Sequence, residues 1–179
     1  MRPTDPARER PTGIAVPIRI PARLARLRRR WDTAALAGAR AHVTVLFPLA
    51  PVGRLGPADR AALATIAQRV DPFEVRFERV RRFDGELVWI EPDAAEPFLR
   101  LTADVVDRWP AFPPYGGRFE TVIPHLTVVE SETAPLESIE AEARAVAPFS
   151  ARATRMELWR QDDAGRWHQH WVLPFGVRR

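Results

Sequence analysis

His42-Val43-Thr44-Val45 and His125-Leu126-Thr127-Val128 decide how this chain is read, each setting a histidine and a threonine on either side of one apolar residue. On a β-strand successive side chains point to opposite faces. His and Thr two positions apart therefore stand side by side, while Val43, Val45, Leu126 and Val128 turn into the core. Each tetrapeptide delivers one imidazole and one hydroxyl together. Taken alone, either string also fits a buried strand with a satisfied histidine. The pair argues for more than that. At ordinary residue frequencies roughly one His in a hundred is followed by apolar-Thr-apolar, and two of the four histidines here are. Chance produces this in about one sequence in a thousand of such composition.

Outward from the motifs, strand and helix patterns alternate. Residues 12–21 read as a strand closed by proline, and 22–37 as a helix with Leu24, Leu27 and Trp31 on one face, opposite the solvated Arg23, Arg26 and Arg30. Residues 41–46 form the first His-Thr strand, and a helix over 57–70 starts with proline after Gly56. Residues 73–80 and 86–90 form a hairpin around Asp84-Gly85. The second half repeats the scheme more loosely. A helix over 95–109 stops at Pro110, and Phe112-Pro113-Pro114-Tyr115-Gly116-Gly117 makes a loop that is a candidate cleft wall. After the second motif, a helix over 136–147 precedes a hairpin of 151–159 with 167–175, turning at Asp163-Ala164-Gly165. The motif histidines stand nearly half the chain apart, which suggests two lobes related by a pseudo-twofold axis. The motif strands then meet where the lobes face each other, around a shared groove.

Composition bounds the chemistry. At 179 residues and 46% hydrophobic content the chain buries a full core, so residues 12–179 are expected to be a single domain behind a flexible N-terminal tail, 1–11, that is polar and Pro-rich. The absence of cysteine removes disulfides, thiol nucleophiles and zinc-thiolate sites. With no secretory apolar region and no membrane-length segment, a cytoplasmic location and no membrane partner are expected. All 27 basic residues are arginine. Without lysine, a nucleotidyl-lysine ligase, a Schiff-base enzyme and a P-loop ATPase of the usual kind are excluded. The net charge of +4 fits solubility, and it also fits guanidinium groups gripping phosphate in a nucleotide cleft.

Weaker constellations remain. His168-Gln169-His170 sets two imidazoles on one strand face, but no cysteine or evident carboxylate completes a metal site, so no metal and no cofactor are expected. Trp89, Trp159, Trp167, Trp171, Tyr115 and Phe119 are candidates to stack a nucleobase, although aromatics at strand spacing are mostly core. Asp162-Asp163 read as turn residues.

The stretches AHVTVLFP and IPHLTVVE, with their order and placement, resemble the two-histidine (2H) phosphoesterases, which include the bacterial RNA 2',3'-cyclic phosphodiesterases known as 2'-5' RNA ligases. The similarity covers most of residues 12–175. It implies an α+β fold, bilobal and pseudo-twofold, with two antiparallel sheets flanked by helices around a central cleft. It also implies chemistry without a metal at a 2',3'-cyclic or 2'-5' phosphodiester, and a catalytic set of His42, Thr44, His125 and Thr127. The partner it implies is RNA with 2',3'-cyclic phosphate ends or a small cyclic nucleotide, and a monomer is the default.

Such a quartet suits the reaction on physical grounds. Opening a cyclic phosphate needs a base to take a proton from water and an acid to give one to the departing ribose oxygen. Imidazole, with an ordinary pKa near ~6.5, serves in either state at neutral pH. Threonine hydroxyls donate to the non-bridging oxygens, where charge gathers. In hydrolysis His125 is expected as base and His42 as acid, and 2'-5' ligation exchanges those roles. The alternative is a non-catalytic nucleotide-binding or sensor module of the same fold.

Overall fold

The computed structural model describes residues 10, 12–83 and 87–176. The expected tail therefore lies outside the described residues except for Arg10, whose guanidinium donates to the Asp163 carbonyl at 3.1 Å. The expected Asp84-Gly85 turn lies outside them too. In chain order the elements are β1 (Thr12–Pro17), α1 (Ala22–Trp31), α2 (Thr33–Leu36), β2 (His42–Leu49), α3 (Pro57–Gln68), β3 (Phe73–Phe83), β4 (Leu87–Pro92) and α4 (Glu96–Arg108). A 3-10 turn (Pro114–Gly117), β5 (Leu126–Glu130), α5 (Leu136–Arg144), β6 (Phe149–Ala153), β7 (Arg155–Gln161) and β8 (Trp167–Pro174) follow.

The strands run in the order β6-β3-β4-β5-β2-β1-β7-β8, and every neighbouring pair is antiparallel. The class is α+β, and two four-stranded sets are evident. They are joined where β2 meets β5 through the single pair Val43↔Leu126, so the two expected sheets form one eight-stranded sheet with a narrow joint. The sets are not the two halves of the sequence. β1 and β2 pair with the C-terminal β7 and β8, while β3 and β4 pair with β5 and β6.

Two of the expected elements are each divided in the structure, for a local reason. The expected 22–37 helix breaks at Asp32, whose backbone turns extended (φ −83°, ψ 118°) and whose carboxylate accepts from the Ala35 N–H at 2.9 Å, capping α2. The expected 151–159 strand is two strands parted at Thr154, because β6 pairs with β3 and β7 with β1 and β8.

Alternate residues of the strands, among them Ile14, Val43, Val45, Phe77, Ile90, Leu126, Val128 and Leu158, form one core with Leu24 and Leu27 of α1, Leu63 of α3, Leu101 of α4 and Ile139 of α5. Burying a side chain of that size is worth about 1.5–3 kcal/mol, so this face fixes the register and delivers the intervening residues to the opposite face. Among the described residues, no helix is long and apolar enough to cross a membrane.

Candidate active site at the joint of the sheet

Val43 and Leu126 pair at the joint and are both buried. Their neighbours His42, Thr44, His125 and Thr127 therefore share the opposite face, and all four are half-buried. His42 opens β2, and His125 directly precedes β5. The two histidines are held alike. His42 Nδ1 lies 2.7 Å from the Arg40 carbonyl, and His125 Nδ1 lies 2.7 Å from the Ile123 carbonyl. A carbonyl only accepts, so each Nδ1 carries a hydrogen and each Nε2 is the atom that gains or loses a proton. Neither Nε2 makes a protein hydrogen bond among the described residues.

Aromatic rings seat both imidazoles. Trp159 meets His42 edge-on at 4.7 Å between ring centroids. His125 stands edge-on to Phe83 at 5.5 Å and to Trp89 at 5.7 Å, and those two rings stack on each other at 4.5 Å. Burial pushes the His42 pKa down to about 4, with the charges of Arg28 and His125 adding to the effect against the Arg40 carbonyl. Burial likewise lowers His125, opposed by the Ile123 carbonyl. Without a bound anion both rings are neutral at neutral pH.

Because β2 and β5 share one pair, the strand edges that diverge beyond it need other partners. Helices supply them, crosswise. α1, which precedes β2 in the chain, packs on β5, and α4, which precedes β5, packs on β2. Arg28 of α1 donates to the Thr127 carbonyl, Asp32 accepts from the Glu130 N–H at 3.0 Å, and the Thr33 hydroxyl donates to the Glu130 carbonyl at 3.0 Å. On the other side the Thr102 hydroxyl of α4 donates to the Val45 carbonyl at 2.8 Å. Arg28 and Asp32 are buried and pair at 2.9 Å. Burial works against both charges, while their mutual attraction and the Ala35 and Glu130 N–H donors offset it. Arg28 and Asp32 escape the sequence reading, although their signal is present. Arg28 lies four residues after Leu24 and one after Leu27, on the apolar side, with Asp32 one turn further on.

The remaining sequence candidates divide. Trp89 and Trp159 are only 3% and 5% exposed, so they support the histidines and offer no open face to a base. Trp167 packs on Phe47 at 5.9 Å, and Trp171 lies against the core. Phe119 is 57% exposed and touches Tyr115 at 5.5 Å. The 3-10 turn that carries Tyr115 packs on β2 and sets the phenol beside Thr44, a contact that no spacing rule reveals. Tyr115 adopts the left-handed conformation (φ 53°, ψ 29°), which costs a non-glycine residue about 1–2 kcal/mol. The His168-Gln169-His170 pair takes other partners. Asp162, expected to have only a turn role, accepts from the Ala164 and Arg166 N–H groups and also meets His168 Nε2 at 2.7 Å, so a carboxylate partner does exist. Gln169 receives Arg40 at 2.8 Å, and His170 lies beside Trp171. Among the described residues no three His, Cys, Asp or Glu side chains converge to hold a metal ion.

An antiparallel α+β sheet that brings two His-x-Thr strands to one joint defines a class, the two-histidine phosphoesterase type. The sequence model of the 2'-5' RNA ligase superfamily matches residues 16–165, and the chain belongs to that superfamily. No curated protein matches it in sequence. Among solved structures it is similar to E. coli LigT in apo form (15% identity, 94% of this chain and 98% of that one, TM-score 0.56). It is also similar to E. coli LigT complexed with 3'-AMP (17%, 93% and 99%, TM-score 0.52) and to TT0787 of Thermus thermophilus (17%, 94% and 100%, TM-score 0.54).

Proposed function

We propose that this protein is a phosphodiesterase that needs no metal and hydrolyses 2',3'-cyclic phosphate or 2'-5' linkages of RNA ends or small nucleotides, with His42, Thr44, His125 and Thr127 as its catalytic residues. One observation carries the reading. At the single-pair joint both imidazoles are fixed through Nδ1 to a backbone carbonyl two residues back, which leaves two equivalent Nε2 atoms to handle protons. Superfamily membership supports it, as does a LigT structure that holds 3'-AMP.

In hydrolysis one Nε2 takes the proton of the attacking water and the other, protonated, gives its own to the leaving ribose oxygen. The Thr44 and Thr127 hydroxyls donate to the non-bridging oxygens as negative charge concentrates there. With His125 as base and His42 as acid, His42 must acquire its proton together with the substrate, because its own surroundings hold it neutral. A phosphate anion beside it supplies the opposing field. With a ribose 5'-hydroxyl in place of water as the attacking group, the ring opens with loss of its 3' oxygen and RNA ends are joined in a 2'-5' linkage, a step that draws on the strain of the cyclic phosphate with no requirement for ATP or lysine.

The test is a panel of 2',3'-cyclic nucleotides and of 2'-5' and 3'-5' dinucleotides, incubated with a chelator and read by mass. Ring-opened monophosphates or cleaved 2'-5' dinucleotides are expected, at rates the chelator does not change. Binding of these compounds without turnover would instead identify a sensor module.

A further inference from the structure

Ala15 of β1 pairs with both Thr44 of β2 and Glu157 of β7, and paired residues of adjacent strands share a face. Glu157 therefore stands on the face of the sheet that carries His42 and Thr44, and it is fully buried, at 0% exposure. A carboxylate taken out of water is costly unless donors surround it, and three do. Arg155 Nε donates to Oε1 at 2.7 Å, Trp159 Nε1 donates to Oε2 at 2.7 Å, and Arg40 Nη2 donates to the same Oε2. Arg40 Nη2 also donates to Gln169 Oε1 at 2.8 Å, and the guanidinium lies 6.0 Å from the Trp159 ring centre.

Two of those donors belong to the residues that hold His42. Trp159 meets the imidazole edge-on at 4.7 Å, and the Arg40 carbonyl receives the Nδ1 hydrogen at 2.7 Å. Arg40 lies just outside β2, and its guanidinium, anchored on Glu157 and Gln169, restrains the backbone that aims this carbonyl. His125 is seated differently. Its neighbour Trp89 keeps a buried indole N–H that makes no hydrogen bond among the described residues.

We propose that Glu157 is a positioning residue for the reaction at this site, its buried carboxylate fixing, through Trp159 and Arg40, the angle at which His42 presents Nε2. The inference rests on the catalytic reading given above. A free imidazole turns about its side-chain bonds and carries its hydrogen on either nitrogen. Holding the ring against one indole and the Nδ1 hydrogen on one carbonyl removes both freedoms. Loss of such alignment is expensive, since a misplacement of about 1 Å can cost ~10²-fold in rate.

The experiment compares the wild type with Glu157→Gln, His42→Ala and the double variant on a 2',3'-cyclic nucleotide. Glu157→Gln keeps the size of the side chain, and the fold is expected to hold because Arg40 and Arg155 are partly exposed and can turn to water. It is expected to lower kcat by about 5- to 50-fold with KM changed less than about threefold. The double variant is expected to be no slower than His42→Ala within about twofold, since Glu157 acts through that ring. A second measurement needs no turnover. Nitrogen-15 signals of His42 and His125, assigned with the alanine variants, are expected to report Nδ1–H in both rings of the wild type. Glu157→Gln is expected to mix the tautomers at His42 and leave His125 unchanged. Arg40→Met, which keeps the carbonyl and removes only its anchor, is expected to do the same, and it carries the test should Glu157→Gln not fold. Wild-type kcat in Glu157→Gln, losses that multiply in the double variant, an unchanged His42 signal, or an equal change at His125 would each overturn this proposal while leaving the catalytic reading standing. A wild type that turns over none of the panel overturns the catalytic reading, and this inference with it.

Discussion

A single imidazole decides most at the scale of the residue. Replacing His42 or His125 with alanine is expected to lower the rate by ~10² to 10⁴ with the circular dichroism spectrum unchanged, because both side chains lie, partly exposed, on the face opposite the buried Val43 and Leu126. Thr44→Val and Thr127→Val are expected to cost about 1.5–3 kcal/mol of transition-state stabilisation, read from kcat/KM. The pH profile is a sharper check. A base must be neutral and an acid protonated, so kcat/KM is greatest between the two free-enzyme values, whichever histidine plays which part. Both are lowered, His42 to about 4. The optimum is therefore expected below the ordinary histidine value of ~6.5, and an optimum above pH 7 would show that the buried field is weaker than the geometry implies. The four motif residues are legible in the sequence because strand alternation is a local rule. Tyr115 on Thr44 is not, since its contact depends on how a Pro- and Gly-rich loop closes over a strand some seventy positions earlier.

Helices and strands show where sequence reading stops. Period and turn residues reveal that a strand exists, but not which strand it joins. The 155–161 segment carries no mark that sends it to β1, or that sends the adjacent 149–153 segment to β3. That outcome depends on long-range packing. The crosswise caps have the same character, since α1 supports the motif strand of the other set through Arg28 and Asp32. Asp32→Asn removes one charge of a buried pair and leaves the Arg28 guanidinium buried without its counterion. It is expected to destabilise the protein by about 3–5 kcal/mol, read as a shifted urea midpoint. Thr102→Val leaves the Val45 carbonyl without that hydroxyl and is expected to cost about 1–3 kcal/mol by the same measurement. If the joint behaves as described, both variants also lower the rate, because each loosens a strand edge beside a catalytic pair.

On the scale of the whole molecule, the first two and the last two strands in chain order lie on the same side of the joint, with β1 paired to β2 and β7, and β7 to β8. The seat of His42 is thus complete only when strands from opposite ends of the sequence meet, because Trp159 of β7 packs on its ring. Its charge is consequently coupled to global stability. His42 has a folded value of about 4 against ~6.5 for an unfolded histidine, so between these values the unfolded chain binds a proton that the folded protein refuses. The stabilisation is present above pH ~6.5 and is lost as pH falls through that window, because the unfolded state then gains protons. His42→Gln removes the group from the balance while other carboxylates and arginines respond alike in both proteins. Urea unfolding at pH 7.5, 5.5 and 4.5 is therefore expected to show the wild type losing stability relative to His42→Gln at each step down. Parallel losses in the two proteins would mean that His42 is hydrated in the folded state. Inorganic phosphate added at pH 5.5 is expected to recover part of the wild-type loss and little of it in the variant, since an anion held at the joint favours the protonated imidazole that burial alone disfavours.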